Sequence, residues 1–343
     1  GGLRADVGLE FGIGQAQVGL GFFARRGLHR QGVGQARAMA AGLSPLMMVA
    51  AASSVSALST ANIAALQTDQ VAVLYSSQAV AVTTAQISAL STSSLVALST
   101  DMLQLLGTAQ IAALSTKQTA ALLTNQLQAL GTEQIIAMGT EDIASLTPSQ
   151  VPTLLSQQVA ALRTAQVAAM ETQDLIQLTT DQIQSLTDAQ VQALTTGQVA
   201  SLSTAQVQAL TIEQVQALTT TQVPSLTTSQ VAALMETQLA AMQTADLVTL
   251  TANQVKALTT AQIQALTVDQ APHLLTSQVA ALLDAQVAAL QTEDLVTLTA
   301  SQVKALTTAQ IQALTVDQVP HLLTSQVAAL LDTQVAALQT ADL

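Results

Sequence analysis

Three histidines and scattered acidic residues are the side chains of this chain that could serve in catalysis or metal binding. His273 and His321 lie 48 positions apart, each in a Pro-His-Leu-Leu segment, and His29 lies alone in a glycine-rich stretch. Imidazoles so far apart cannot share one metal ion, and we interpret the pair as a polar substitution copied by duplication. The chain has no cysteine, which excludes disulfides and thiolate metal sites.

The acidic residues occur singly or as neighbours, as in Glu141-Asp142 and Glu293-Asp294. They form neither an EF-hand nor a glycine-rich calcium nonapeptide. Residues 8–14 contain Gly-x-x-x-Gly-x-Gly without the strand and helix that a phosphate loop requires. No nucleophile, base and orienting residue can be grouped, so the sequence predicts no enzyme, no cofactor and no metal.

The composition indicates a repetitive protein with an acidic main body. Charged residues make up 9% of the chain, against about 25% in ordinary domains. Five of the nine Lys+Arg residues fall in the first 37 positions, which leaves 4 basic against 19 acidic residues in the remainder. Such a surface repels nucleic acid and anionic lipid, so we expect no nucleic-acid partner. The apolar stretch after Pro45 is too short and too rich in serine to span a membrane.

One rule governs the chain from Asn62 onward: a glutamine recurs every eight residues. Of the 36 such positions between Asn62 and Asp342, 28 are Gln, and no insertion or deletion disturbs the phase. Val, Ile or Leu follows directly in nearly every copy. Leu comes four residues after the marked position, replaced only by Val82, Met138, Met170 and Met242, which gives the octad consensus Thr-Thr-x-Gln-Val-x-Ala-Leu. The positions that we take to define the repeat include Gln110, Gln118, Gln166, Gln206, Gln262, Gln310, Leu114, Leu162, Leu210, Leu266, Leu314, Thr147, Thr211 and Thr267.

The repeat divides the chain into three parts. Residues 1–45 are glycine-rich, basic and non-repetitive, and residues 46–61 form an apolar and serine-rich transition. This transition has either a signal-like cleavage pattern or the character of a linker or cap. Residues 62–343 form the octad array, in which 248–295 and 296–343 are near copies offset by 48 residues. An array with such an even phase is typical of a solenoid.

The spacing of Thr or Ser three residues before Gln predicts a helix start in every octad. The hydroxyl accepts from a backbone amide and the Gln reaches back to the cap amide, which is the capping box. Pro148 would then occupy the first helical position, where its missing N–H has no consequence. In the octads that begin Leu123-Thr124 and Leu283-Asp284, we expect the second residue to supply the capping oxygen.

Eight residues at about 100° each overshoot two helical turns, so an unbroken helix would wind its apolar stripe around itself. The sequence therefore predicts an all-α solenoid of short capped helices, one per octad. A β-solenoid is the alternative, favoured by Pro152, Pro224, Pro272 and Pro320, which all lie two residues after Gln. In an α-helix that position is interior, where proline clashes.

Segments such as Leu258–Leu266 and Leu194–Leu202 resemble octad arrays in large bacterial surface or secreted proteins of the haemagglutinin-like or haem-utilisation/adhesion type. The resemblance implies export, an extracellular or cell-surface location and a structural or adhesive role as a rod, stalk or filament. Uncapped solenoid ends further predict self-association, end to end or lateral. The alternatives are a repeat scaffold for protein binding, with a surface or glycan partner unidentified, and a threonine-rich β-solenoid of ice-binding type.

Overall fold

The computed structural model describes residues 55–72 and 76–338. These residues form short helices and contain no strand, so the predicted all-α solenoid is confirmed and the β-solenoid alternative is wrong. The predicted segment 1–45, most of the transition 46–61 and the octad of Asp342 lie outside the described residues. Within the described residues no helix is long and apolar enough to cross a membrane.

The helices fall into two compact units that divide between Leu130 and Gly131. In the described part of the first unit they are α1 Thr60–Ala64, α2 Thr68–Ala72, α3 Ser76–Ala81, α4 Thr84–Ala89, α5 Thr92–Val96, α6 Thr100–Leu105, α7 Thr108–Ile111, α8 Thr116–Ala121 and α9 Thr124–Ala129.

The second unit contains α-helices and four 3₁₀ helices, η1 to η4. In chain order they are α10 Thr132–Ala137, α11 Thr140–Ala144, η1 Val151–Thr153, α12 Ser156–Ala161, α13 Thr164–Ala169, α14 Thr172–Leu175, α15 Thr180–Ser185, α16 Asp188–Ala193, α17 Thr196–Ser201, α18 Thr204–Ala209, α19 Ile212–Ala217, η2 Val223–Ser225, α20 Thr228–Ala233, α21 Glu236–Ala241, α22 Thr244–Leu247, α23 Ala252–Ala257, α24 Thr260–Gln264, η3 Ala271–His273, α25 Thr276–Ala281, α26 Asp284–Ala289, α27 Thr292–Thr297, α28 Ala300–Lys304, α29 Thr308–Gln312, η4 Val319–His321, α30 Thr324–Val327 and α31 Asp332–Val335.

A two-residue extended link separates one helix from the next. Leu210 ends α18 at φ −57°, ψ 133°, and Thr211 follows at φ −70°, ψ 167° as the cap of α19. The leucine of the consensus is therefore the residue at which the helix stops. Six helical and two extended residues make up such an octad, which turns the chain once per repeat.

The helices stack because the chain coils back on itself. In the second unit α13 packs against α16, and α16 packs against α19, so each lies against the helix three octads along. In the first unit α1 packs in the same way against α4, and α6 against α9. The valine after Gln and the leucine at the helix end fill the interior of the coil, as in α16, where Val191 is 0% exposed and Leu194 is 5% exposed.

The four prolines that favoured a β-structure lie in the 3₁₀ helices instead. In the octad of Pro152, backbone N–H groups of Gln150 and Val151 donate to the Thr147 carbonyl, and those of Thr153 and Leu154 donate to Gln150 and Val151. None of these hydrogen bonds needs a backbone N–H at position 152, so the missing N–H of the proline breaks none of them. Pro148 lies in the turn before η1 and not in the first turn of an α-helix, which corrects that part of the prediction.

Candidate functional site

The histidines and acidic residues do not come together in the described part of the chain. His273 and His321 are exposed, and the Nδ1 atom of each lies 2.6 and 2.7 Å from the backbone oxygen four residues earlier. No group of three or more His, Cys, Asp or Glu residues that could hold a metal ion occurs among the described residues. The feature that recurs in every part of the coil is instead the glutamine of the octad.

The glutamine side chain is buried and forms hydrogen bonds in two directions. In α16, Gln190 Oε1 accepts from the backbone N–H of Thr187 at 2.7 Å. Gln190 Nε2 donates to the carbonyls of Val159 at 3.0 Å and Leu162 at 2.6 Å, which lie 31 and 28 positions earlier. One amide thus completes the start of its own helix and links it to the preceding turn of the coil.

The separations fix the size of that turn. Helices pack three octads apart, whereas the amide reaches the end of the helix four octads back. One turn therefore spans between three and four octads. The same set of contacts is made within the second unit by Gln166, Gln198, Gln206, Gln262 and Gln310, and within the first unit by Gln118.

The hydroxyl of the octad caps the helix as the spacing predicts. Thr211 Oγ1 accepts from the backbone N–H of Gln214 at 3.2 Å, while Thr211 N–H donates to Gln214 Oε1 at 2.8 Å. Thr267 makes the same pair of contacts with Gln270. At Thr147 the hydroxyl and the backbone N–H both lie within hydrogen-bond distance of Gln150 Oε1.

The other predicted positions lie in the interior. Gln110 contacts the backbone N–H of Gly107 through Oε1 and the carbonyl of Val82 through Nε2. The five predicted leucines are buried, with exposed fractions between 3% and 5%: Leu114, Leu162, Leu210, Leu266 and Leu314.

Octads with leucine at the cap depart from the prediction. Leu123 and Leu283 are themselves the N-cap residues, with no side-chain cap bond, and Thr124 and Asp284 are the first residues of their helices. The prediction that the second residue moves into the capping role is therefore wrong. Gln126 and Gln286 still accept from the cap N–H groups of Leu123 and Leu283, so the backbone geometry is kept without a hydroxyl.

Aspartates at the glutamine position are buried carboxylates. Asp174, Asp246 and Asp294 are 4%, 4% and 2% exposed. Asp174 Oδ1 and Asp294 Oδ2 have no hydrogen-bond partner. Burial raises the pKa of Asp294 to about 6, and Glu293 adds to the rise. Burial also raises the pKa of Asp246 and of Asp174, where Glu171 contributes.

Two of the aspartate octads have a glutamine at the N-cap position, where the consensus has threonine. Gln243 Nε2 donates to the Gln216 carbonyl at 2.9 Å, and Gln291 Nε2 donates to the Gln264 carbonyl at 3.3 Å. Both carbonyls belong to the octad four repeats earlier, so a link between turns is kept but is moved to the exposed edge. Glu171 at the cap before Asp174 has no amide for such a bond.

The burial of these aspartates was not predicted from the sequence. A second spacing marks them: Asp174, Asp246 and Asp294 each come 24 residues after the glutamine of a proline octad, as does Asp342. Because helices pack three octads apart, this spacing places a proline octad next to the aspartate octad, as seen for η3 and α27.

Exposed apolar side chains occur at two kinds of position in the second unit. At the caps they include Leu275, Leu283, Leu323 and Leu331. In the last described turn Val327 and Val335 are 43% and 49% exposed, whereas their counterparts Val279 and Val287 are 0% exposed. The valine row is thus covered only where a further turn lies against it.

The first unit contains an apolar cavity of about 20 Å³, the size of one water molecule. It lies among Val55, Leu58, Ile63, Leu66, Ile87 and Met102, and it offers no polar group to a ligand.

Six segments of the second unit, the first four of which overlap, match the family model of the ALTTAQ repeat. They are residues 135–172, 167–204, 193–220, 200–228, 239–276 and 287–324. No curated protein matches the chain. The matches establish a tandem repeat region, in agreement with the helical octads of the structure.

Proposed function

We propose that this protein is a non-catalytic structural repeat protein, in which the octads are equivalent repeat units of a spacer or stalk. The observation that carries the proposal is the buried glutamine amide: its oxygen accepts from its own helix cap and its nitrogen donates to the preceding turn. These hydrogen bonds hold the coil together. The core residues, the caps and the amide all serve the fold, and the exposed positions of the described octads hold no cluster with catalytic chemistry.

We further propose the location that the sequence resemblance implies, on or outside a bacterial cell, with an adhesive or stalk role. A coil whose length is set by the number of octads suits a part that holds another module at a distance. Helices in contact lie about 8–10 Å apart, so each added turn would lengthen such a stalk by about that amount.

The near-identical copies allow a direct test of the spacer role. Deleting residues 248–295 joins Leu247 to Val296 without a change of phase. We expect the helical signal per residue in circular dichroism to stay constant, and the maximum dimension from small-angle scattering to fall by about 10–20 Å. A particle of unchanged maximum dimension would contradict a spacer.

Self-association is part of the same proposal. In a protein of residues 1–343 alone, Val327 and Val335 present the kind of face that another turn of octads covers elsewhere in the unit. We expect sedimentation to show concentration-dependent association that Val327→Lys with Val335→Lys removes. A wild-type protein that sediments as a monomer at all concentrations would contradict this part of the proposal.

A repeat scaffold for protein binding is the second candidate. The exposed cap leucines favour it, because a spacer alone has no need of them. Replacement of Leu275, Leu283, Leu323 and Leu331 by threonine would distinguish the two roles: a spacer keeps its function, whereas a binding scaffold loses its partner. The ice-binding alternative loses its basis, because threonine hydroxyls such as that of Thr211 accept backbone amides at helix starts.

A further inference from the structure

The buried carboxyl of Asp294 occupies a place that elsewhere belongs to a hydrogen-bond donor. By the register of the repeat, it stands where a glutamine amide would face the carbonyls of Ile263 and Leu266, 31 and 28 positions earlier. In the neighbouring octad Gln302 Nε2 donates to the equivalent carbonyls of Ala271 and Leu274 at 3.1 and 2.7 Å. An ionised carboxylate has no hydrogen to donate, whereas a protonated one has.

The elements packed against α27 contain no lysine or arginine that could keep Asp294 ionised. The elements packed most closely against α27 are η3 and η4, and their octads contribute Asp269, His273, Asp317 and His321, all exposed. The octad of α24, whose Gln264 carbonyl accepts from Gln291, contains no charged side chain. On its own helix Glu293 adds a second negative charge. The octads of η3 and η4 contain no lysine or arginine, and Lys304 lies in the following octad, on α28. A buried carboxylate without a paired cation is disfavoured here.

One oxygen of this carboxyl, Asp294 Oδ2, is buried without a hydrogen bond. The exposed Gln291 amide takes only the Gln264 carbonyl, between the two that a buried glutamine would reach. The carbonyls of Ile263 and Leu266 therefore receive no glutamine amide at this octad, and another donor could take its place.

We propose that the Asp294 carboxyl is protonated in the folded coil and donates a hydrogen bond to a backbone carbonyl of the preceding turn, in place of the glutamine amide. Acid would then stabilise the contact between turns at this octad. Asp246 occupies the same place one 48-residue repeat earlier, and Asp174 a similar one. At the aspartate octads the hydrogen bond between turns thus depends on pH, whereas at the glutamine octads it does not. A passive spacer has no need of this property.

The direction of the pH effect follows from the folded and unfolded carboxyl. The pKa of Asp294 is raised by burial from 3.8 to about 6. A group with a raised folded pKa gives its stabilisation fully below the unfolded value and loses it as pH rises through the folded value. The contact between α27 and the preceding turn should thus be most stable near pH 4 and less stable above pH about 6.

Hydrogen exchange followed by mass spectrometry on the full chain tests this at the contact itself. After correction for the intrinsic pH dependence of exchange, we expect protection of residues 259–266 and 291–298 to fall as pH rises from about 4 to 6. The fall should approach roughly 10-fold per pH unit. Asp294→Asn, which keeps the shape and cannot ionise, should remove it, and Asp294→Gln should do the same with the consensus side chain.

Asp269→Asn is the matched control, because Asp269 is an exposed carboxylate in the adjacent octad. It should keep the wild-type dependence. Carbon-13 spectra of the aspartate carboxyls give a second readout, in which the signal lost in Asp294→Asn should titrate near pH 6. Wild-type protection that does not change between pH 4 and 7, a slope that survives Asp294→Asn, or an Asp294 signal that titrates near 3.8 would each overturn the proposal.

Discussion

A buried glutamine is tolerated in this interior because its amide is fully satisfied. Its oxygen accepts one N–H and its nitrogen has two hydrogens for two carbonyls, as Gln198 shows with Thr195, Val167 and Met170. An unsatisfied amide in such a place would cost about 1–3 kcal/mol. The three contacts therefore account for the recurrence of one residue type at one phase.

The cap glutamine of an aspartate octad gives the first prediction at the scale of a residue. Gln243→Ala removes the bond to the Gln216 carbonyl in an octad whose buried donor is already absent. We expect a loss of about 1 kcal/mol in the free energy of unfolding, measured with urea. The exposed Gln192→Ala, which lies in a complete octad, should change it by about 0.5 kcal/mol or less. Equal effects of the two substitutions would speak against the compensating bond.

Half of the role of the glutamine could be predicted from the sequence. The capping box joins residues three apart, such as Thr211 and Gln214, and so leaves a local pattern. The link between turns joins Gln214 to Ile183 and Leu186, and its acceptors are backbone carbonyls, which any residue provides. No residue type marks such a contact, so the burial of the glutamine and of the aspartates escaped prediction.

At the scale of the element, helix length follows from the cap at one end and the leucine at the other. Thr211→Ala should destabilise the array by about 1 kcal/mol, because Gln214 loses its hydroxyl acceptor. Leu283→Thr should stabilise it by a similar amount, because it adds a hydroxyl to a cap that has none and removes an exposed leucine. Urea unfolding of both variants tests the pair. A Leu283→Thr variant no more stable than wild type would contradict the account of the caps.

The proline octads lead to a prediction about where a helix can be broken. Ala168→Pro places proline two residues after Gln166, where the 3₁₀ pattern of the natural proline octads needs no donor. It should cost clearly less than the roughly 3 kcal/mol of a proline in a helix interior. Val167→Pro removes the N–H that donates to the Arg163 carbonyl at 3.1 Å and should cost that amount or more. Urea unfolding midpoints compare the two, and equal losses would refute this account.

The short helices could be predicted and the 3₁₀ turns could not. Hydroxyl, glutamine and leucine recur within one octad, so local spacing indicates where each helix begins and ends. Whether Pro152 opens, bends or tightens its octad depends on which backbone donors the coil uses. The sequence shows only that proline is unfavourable in the middle of an α-helix.

At the scale of the whole molecule, each regular octad meets the others through the same contacts, so any octad is an acceptable neighbour. Inserting Thr-Thr-Ala-Gln-Val-Ala-Ala-Leu after Leu194 should therefore leave helical content per residue and proteolytic resistance unchanged. Inserting only Thr-Thr-Ala-Gln at the same point should expose the following turn to protease, because it moves the apolar residues out of phase. Equal tolerance of both insertions, measured by circular dichroism and limited proteolysis, would show that phase does not govern the array.

The glutamine nitrogen links its octad to the preceding turn of the coil, and one pair of variants tests this link. Gln190→Glu keeps the size and the accepting oxygen but loses the donor and places a charge near two carbonyls, whereas Gln192→Glu makes the same change at an exposed site of α16. By urea unfolding at pH 8, we predict a loss of about 3–5 kcal/mol for Gln190→Glu and about 0.5 kcal/mol or less for Gln192→Glu. Equal stability of the two variants would contradict the claim.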